Sequence, residues 1–213
     1  MTVTPFRQEL DAWRLSQYGE PVRRAAGYLS LAGRGGLWLV VEGEMDLLAY
    51  GRRRWRFLGR LGAGALVPSS AGGPAHVLVG QPMAGCVLYR LPLAIPGHTE
   101  AVARGVDLGL APLLSAVAGP PVAGTASLVP GYPIELSPGD AARPVTGIVW
   151  LRVIDGRIGN FGPGAVLATD DTICSEFGAV VTVDTTAGML ASGVLWPHLA
   201  AEEIRLRHLL GRR

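Results

Sequence analysis

Apolar residues in this chain fall into short runs broken every few positions by glycine, not into long stripes at helical spacing. Residues 37–41 form an unbroken apolar run of the kind a buried strand shows, Glu42-Gly43 reads as a turn, and 45–50 continue as a second strand. Gly51 opens another turn carrying Arg52, Arg53 and Arg54, after which 55–61 predict a third strand. Gly62-Ala63-Gly64 breaks the run, 65–67 resume it, 69–74 read as a loop, and 76–79 and 86–91 predict two more strands. Strand, short turn and strand at this density predict a β-roll or barrel.

Three stretches depart from that pattern. Thr4-Pro5 is a cap and first-turn pair for a short helix whose apolar face is Phe6, Leu10 and Trp13. Between 98 and 118, Val102, Val106, Leu110, Leu113 and Val117 lie at helical spacing, with Pro112 expected to kink or end the first part. Near the end, 186–190 predict a short helical turn closed by Gly193, and Pro197 suits the start of a helix with Leu199, Leu206 and Leu210 on one face and Glu203 four residues before Arg207.

Gly119-Pro120-Pro121 is tolerated inside neither helix nor sheet, so it divides the chain into 1–118 and 119–213. Beyond it the pattern restarts. Leu29-Ser30-Leu31-Ala32-Gly33 precedes the strand containing Trp38, and Glu135-Leu136-Ser137-Pro138-Gly139 precedes the strand containing Trp150. Each half then reaches a Gly-x-Gly-Ala break, at Gly62–Ala65 and at Gly162–Ala165. Internal duplication is the economical reading. The expected fold is mainly β with peripheral helices: two tandem β-roll or jelly-roll-like lobes, one built around Trp38 and one around Trp150.

Composition supports this and narrows the function. With 30 Gly and 16 Pro in 213 residues, turns are abundant, and 49% hydrophobic content supplies a core. The 19 basic residues are all Arg, yet the net charge is only +2, which gives no electrostatic case for a nucleic-acid partner. Cys86 and Cys174 match no metal spacing and suit a reducing cytoplasm. No window of about 18 residues is uninterruptedly apolar, and residues 1–10 have no apolar signal core. A soluble cytoplasmic protein is expected.

Four segments carry a family resemblance: 37–50, the basic turn with 56–66, 135–162, and Val194-Leu195-Trp196-Pro197-His198-Leu199. Together they resemble the N-terminal regulatory region of ABC exporters of NHLM type, which accompany peptide natural products with nitrile-hydratase-like leaders. That resemblance spans residues 28–210 and implies a duplicated region similar to cyclic-nucleotide-binding or cupin-like β-rolls. The chain has no membrane helices and no Walker A sequence, so neither transport nor ATP hydrolysis carries over. An accessory or sensory subunit, or a fragment of a longer exporter, is what remains.

Cyclic-nucleotide binding needs a phosphate-cradling loop, a carboxylate for the ribose and an Arg for the phosphate. Neither 62–68 nor 162–168 holds an acidic residue or is closely followed by Arg. A cupin metal site needs clustered histidines, whereas His76, His98, His198 and His208 are scattered. Ser115, Ser137 and Cys174 lack a nucleophile elbow or a nearby base, and Cys86 reads as a small core residue. Asp170-Asp171 reads as a loop and not a cation site. No enzyme, cofactor or metal is therefore expected.

The one dense charged feature is Arg52, Arg53, Arg54, Trp55 and Arg56, a candidate anion- or partner-binding patch that a solvated hairpin tip also explains. The function expected is a non-catalytic binding or regulatory module whose partner is another protein or a small ligand, with homo-oligomers allowed. Neither nucleic-acid binding nor membrane insertion is expected. A structural component of a larger assembly is the alternative.

Overall fold

The computed structural model describes residues 5–22, 27–33, 35–51, 53–69, 76–117 and 126–195, which separate into two compact units, one up to residue 117 and one from 126 to 195. The Gly119-Pro120-Pro121 connector, most of the loop expected at 69–74, and the helix expected from Pro197 lie outside the described residues. Mostly antiparallel sheets dominate both units, with a few peripheral helices.

The first unit opens with α1 (Pro5–Ser16), β1 (Glu20–Pro21) and β2 (Leu29–Ser30). β3 (Leu37–Glu42), β4 (Met45–Gly51), β5 (Arg54–Leu61) and β6 (Leu66–Pro68) follow. β7 (His76–Pro82), β8 (Val87–Leu91) and α2 (Thr99–Val117) complete it. The strands form two four-stranded sheets, ordered β1-β8-β3-β6 and β2-β7-β4-β5. Eight strands alternating between two sheets in that order make a jelly roll. Alternation along β3 sends Trp38 and Val40 inward, where they meet Leu31, Met45, Leu47, Leu61, Val67, Leu78 and Leu88. Its other face, with Leu37 and Leu39, is equally buried because α1 and α2 lie on that sheet. Sheet and helix come so close there that a Cβ on Gly109 would overlap the carbonyl oxygen of Leu66.

One expectation about these helices is narrowed and one needs correction. Helix α2 continues through Pro112 to Val117 without ending. Proline costs an interior helix one hydrogen bond and a clash with the carbonyl four residues back. Here its ring is seated against β5 at Gly59, where a Cβ would approach Pro112 Cβ to 2.6 Å. In α1, Leu10 and Trp13 face outward and the buried side is Ala12, Leu15 and Ser16. Small side chains and the ion pair of Asp11 with Arg104 on α2 (2.6 Å) set that orientation, not the largest apolar residues.

The second unit consists of β9 (Ala126–Leu128), β10 (Pro133–Leu136), β11 (Ala141–Pro144), β12 (Val149–Gly156), β13 (Val166–Thr169), β14 (Ile173–Cys174), β15 (Ala179–Asp184) and α3 (Thr186–Ala191). Its sheets are β10-β15-β12-β13 and β14-β11-β9. The first repeats the order β1-β8-β3-β6, with β10 in the place of β1. Residues 135–139 therefore do not correspond to 29–33.

The matching corners are closely alike. Gly64 N–H donates to the Val40 carbonyl (2.8 Å), and Val40 N–H to Ala65 (3.0 Å). Gly164 N–H donates to Val153 (2.8 Å), and Val153 N–H to Ala165 (2.9 Å). Each long strand also carries a register shift just beyond, at Val40/Glu42 and at Val153/Asp155.

This alignment places Val40 with Val153 and hence Trp38 with Leu151, one residue off the Trp38–Trp150 match expected from sequence. A one-residue slip reverses the face. Trp38 is inside its roll, whereas Trp150 is buried on the outer face and donates its indole N–H to Thr186 Oγ1 of α3 (2.9 Å). The two tryptophans have dissimilar surroundings. The common element is the strand order and the glycine corner.

The units differ between those corners. In the first, the β4–β5 hairpin grows from its base pair Met45↔Leu61 to Gly51↔Arg54. In the second, Ile158 and Phe161 make an isolated bridge that takes the place of that base pair, and the chain turns back at once.

Candidate functional site

The basic and aromatic residues singled out in the sequence sit on the part of the β4–β5 hairpin that the second unit lacks. Arg54, Trp55 and Arg56 are on β5, Arg53 is in the turn, and Arg52 lies outside the described residues. The pairs Tyr50↔Trp55 and Leu48↔Phe57 point to one face, and Gly51↔Arg54 and Ala49↔Arg56 to the other. Arg54, Trp55, Arg56 and Phe57 are all exposed, although Ala49 opposite Arg56 is buried in the core.

Trp55 is not alone. Tyr28 stacks on it (centroids 4.7 Å apart, planes at 22°), and Tyr50 tilts against it at the same distance. With Phe57 beyond, four aromatic rings line one face, Trp55 49% and Phe57 58% exposed. Sequence spacing pointed only to Trp55. Phe57 was legible as its i+2 neighbour, and Tyr50 from the hairpin register. Tyr28 comes from just before the edge strand β2, and nothing local signals it.

Arg53 adopts a left-handed backbone (φ 61°), the only non-glycine among the described residues to do so. That conformation costs an ordinary residue about 1–2 kcal/mol. Two-residue hairpin loops of this kind favour Asn-Gly for the same reason. Arg53, Arg54 and Arg56 make no ion pair among the described residues. Further down the ribbon, Arg60 is held by Asp46 (2.6 Å) and Glu44 (3.4 Å).

Two other features of the first unit bear on binding. At one end of the roll interior, the Trp38 indole N–H and the Ser69 hydroxyl are buried with no hydrogen-bond partner among the described residues. Arg90, the cross-strand neighbour of Trp38, places its guanidinium 5.6 Å from the indole centroid. Elsewhere, an apolar cavity of about 180 Å³ is lined by Val22, Leu29, Pro82, Cys86, Leu88 and Tyr89.

Residues weighed for catalysis stay dispersed. His98 shares a hydrogen bond with the Tyr18 hydroxyl (2.9 Å), the side chain of His76 is outside the described set, and His198 and His208 lie in undescribed segments. Ser115 and Cys174 are exposed on separate elements. Ser137 stands in a turn where its N–H donates to Asp140 (2.8 Å). Asp171 serves its own loop, accepting from the Thr172 N–H (2.7 Å). Partial burial beside Thr169 pushes the Asp170 carboxyl up from its ordinary value, with Asp171 adding repulsion. Among the described residues, no three His, Cys, Asp or Glu side chains are grouped so as to hold a metal ion, and no helix is long and apolar enough to cross a membrane.

No protein-family model and no curated protein matches the chain. Similar solved structures include a cAMP-bound PfPKA-R, at 10% identity and a TM-score of 0.35 over 99% of this chain and 93% of that one. The regulatory subunit of a cAMP-independent protein kinase A from Trypanosoma brucei is 12% identical, with a TM-score of 0.31 over 97% and 93%. A Bacillus subtilis oxalate decarboxylase variant is 11% identical, at 0.23 over 78% and 64%. With every score below 0.5, the fold description rests on this chain's own strand order.

Proposed function

We propose that this protein is a non-catalytic binding and regulatory module that engages another protein through the surface of its first β-roll. The observation carrying this reading is the β4–β5 hairpin. The second unit turns back at the bridge Ile158–Phe161, whereas the first continues to Gly51↔Arg54; Leu47, Ala49 and Leu58 of that continuation belong to the core, while its end at Tyr50–Phe57 adds exposed surface that the second unit lacks. The end of the hairpin holds exposed aromatic side chains and the cations Arg53, Arg54 and Arg56, which make no ion pair among the described residues, a composition enriched at protein interfaces. A cytoplasmic accessory or sensory subunit of a peptide exporter is the setting we favour, and descent of the two units from one duplicated roll accounts for their common strand order.

The test is reconstitution with an NHLM-type exporter from the same genome. Stoichiometric addition of this chain changes the exporter's ATPase or transport rate if the reading is right. No change at saturating chain removes the export connection, and substrate turnover by the chain alone with a bound metal removes the non-catalytic reading.

A second reading is a structural component of an assembly, favoured by the uneven charge of the two parts. Residues 1–117 hold twelve Arg against eight acids, and residues 118–198 hold three Arg against seven acids. Opposite charges on two surfaces favour head-to-tail association between copies. Light scattering separates the readings: a large species that dissociates with added salt indicates assembly, and a salt-independent monomer or dimer indicates a regulatory subunit.

A further inference from the structure

We propose that the open edge of β5 at Arg54–Phe57 binds an extended protein segment in which acidic and apolar residues alternate, captured as an added strand. This rests on the binding-module reading and names the partner's chemistry.

The geometry has three parts. First, β5 is the last strand of β2-β7-β4-β5, and no described strand pairs with its outer side. The approach of Pro112 to Gly59 is at the other end of β5, while residues 54–57 are exposed. An unpaired strand edge presents a row of N–H and C=O groups ready to accept another chain.

Second, the side chains on this edge are sorted by face. Arg54 and Arg56 share one face about 7 Å apart, the spacing of i and i+2 along any strand. Trp55 and Phe57 share the other face at the same spacing. Directly opposed residues of paired strands lie on one face and interact. A strand laid along this edge therefore meets cations with every second side chain and aromatic surface with the side chains between. Acid-apolar-acid-apolar is the complementary sequence.

Third, the same sorting decides against other occupants. A single-stranded nucleic acid needs cations and stacking surfaces along one groove, whereas here they lie on opposite faces of a ribbon. A second copy of β5 would set Arg against Arg, and like charges directly opposed across strands are destabilising. Edge arginines thus block self-pairing and leave the edge open to an acidic strand. Retaining Arg53 in a left-handed turn keeps a further cation at this end, where glycine would relieve strain.

The test uses the intact chain and three labelled probes read by fluorescence anisotropy. One is an eight-residue peptide alternating Glu and Val, the second has the same composition with four Glu followed by four Val, and the third is an oligo-dT strand. The expected result is binding of the alternating peptide at least tenfold tighter than the block peptide and weakened at 0.5 M salt. The double substitution R54E/R56E, with circular dichroism unchanged, abolishes that binding and confers binding of an alternating Lys-Val peptide. N-methylation of alternate peptide nitrogens, which removes ladder donors, abolishes binding in one register only.

Equal affinity for the two acidic peptides overturns the strand geometry, and tighter binding of oligo-dT overturns the partner class. No binding of any probe leaves the hairpin a solvated tip and overturns the proposal. The broader reading fails separately: an exporter response that survives R54E/R56E keeps the binding module and removes only this surface.

Discussion

Replacing Gly109 with alanine sets two known effects against each other. On helix propensity alone, alanine is better than glycine in a helix interior by about 0.8–1.0 kcal/mol. Gly109, however, is buried in α2 where that helix crosses β6, and the added Cβ would run into the Leu66 carbonyl oxygen, with the Leu66 carbonyl carbon at 2.7 Å and Val67 N at 3.4 Å. These are backbone atoms of a paired strand, bonded into the ladder at Leu39↔Leu66, and no rotamer change moves them. The helix itself must lift, loosening Val106, Leu110 and Leu114, all buried. Overpacking of this kind costs about 1–3 kcal/mol and more when the obstruction is rigid. The clash outweighs propensity, and G109A is expected to destabilise by roughly 1–2 kcal/mol net. For a chain of this size that is a fall in Tm of about 2–8 °C. The assay is thermal unfolding by circular dichroism alongside G62A, whose Cβ meets nothing within 4 Å and which is expected to leave Tm unchanged or slightly raised. A G109A protein as stable as its parent would mean that α2 does not lie on β6.

Three further outcomes follow from the geometry. Both Trp→Phe changes leave a void, but Trp150→Phe also loses the bond to Thr186, whereas Trp38→Phe removes an indole N–H that has no partner among the described residues. Urea unfolding should therefore find W150F the costlier by about 1 kcal/mol, and the reverse order would refute the register assigned here. Arg53→Gly relieves the left-handed strain and is expected to raise stability by about 0.5–1 kcal/mol; a lowered Tm would show that the turn depends on that side chain. The raised Asp170 carboxyl holds its proton in the folded state at a pH where the unfolded chain has lost it. Its favourable contribution is present below the ordinary Asp range and is lost as pH rises through the folded value. D170N should match its parent at pH 3 and exceed it in Tm at pH 7, and an advantage at pH 3 that vanishes by pH 7 would contradict the sign.

Strand runs were legible because glycine and charged turns bracket each of them, as at Gly43, Gly51 and the two Gly-x-Gly-Ala corners. Register was not. Trp38 and Trp150 sit one step out of phase because both faces of β3 and β12 are buried at that point, so the apolar pattern loses the alternation that would reveal which side chain points inward. The orientation of α1 was misread for a related reason. Size suggested Trp13, but a helix docked closely on a sheet favours alanine at the contact and leaves the large ring outside. Continuity through Pro112 was hidden because the residue its ring packs against, Gly59 on β5, is far away in sequence. In the candidate site the cations and Trp55 were visible as a run, while the aromatic cluster required Tyr28 to arrive from the segment before β2.

The glycine-alanine corner also explains how such a chain changes what it shows to its surroundings. Val40 or Val153 anchors the corner from one side, and the first rung beyond it is Met45–Leu61 or Ile158–Phe161. Lengthening the chain beyond that rung in the second unit leaves the anchoring bonds in place and adds surface, whereas trimming it in the first unit would take Leu47, Ala49 and Leu58 out of the core. Residues 159–160 are accordingly the position where a foreign hairpin is best grafted into the second unit.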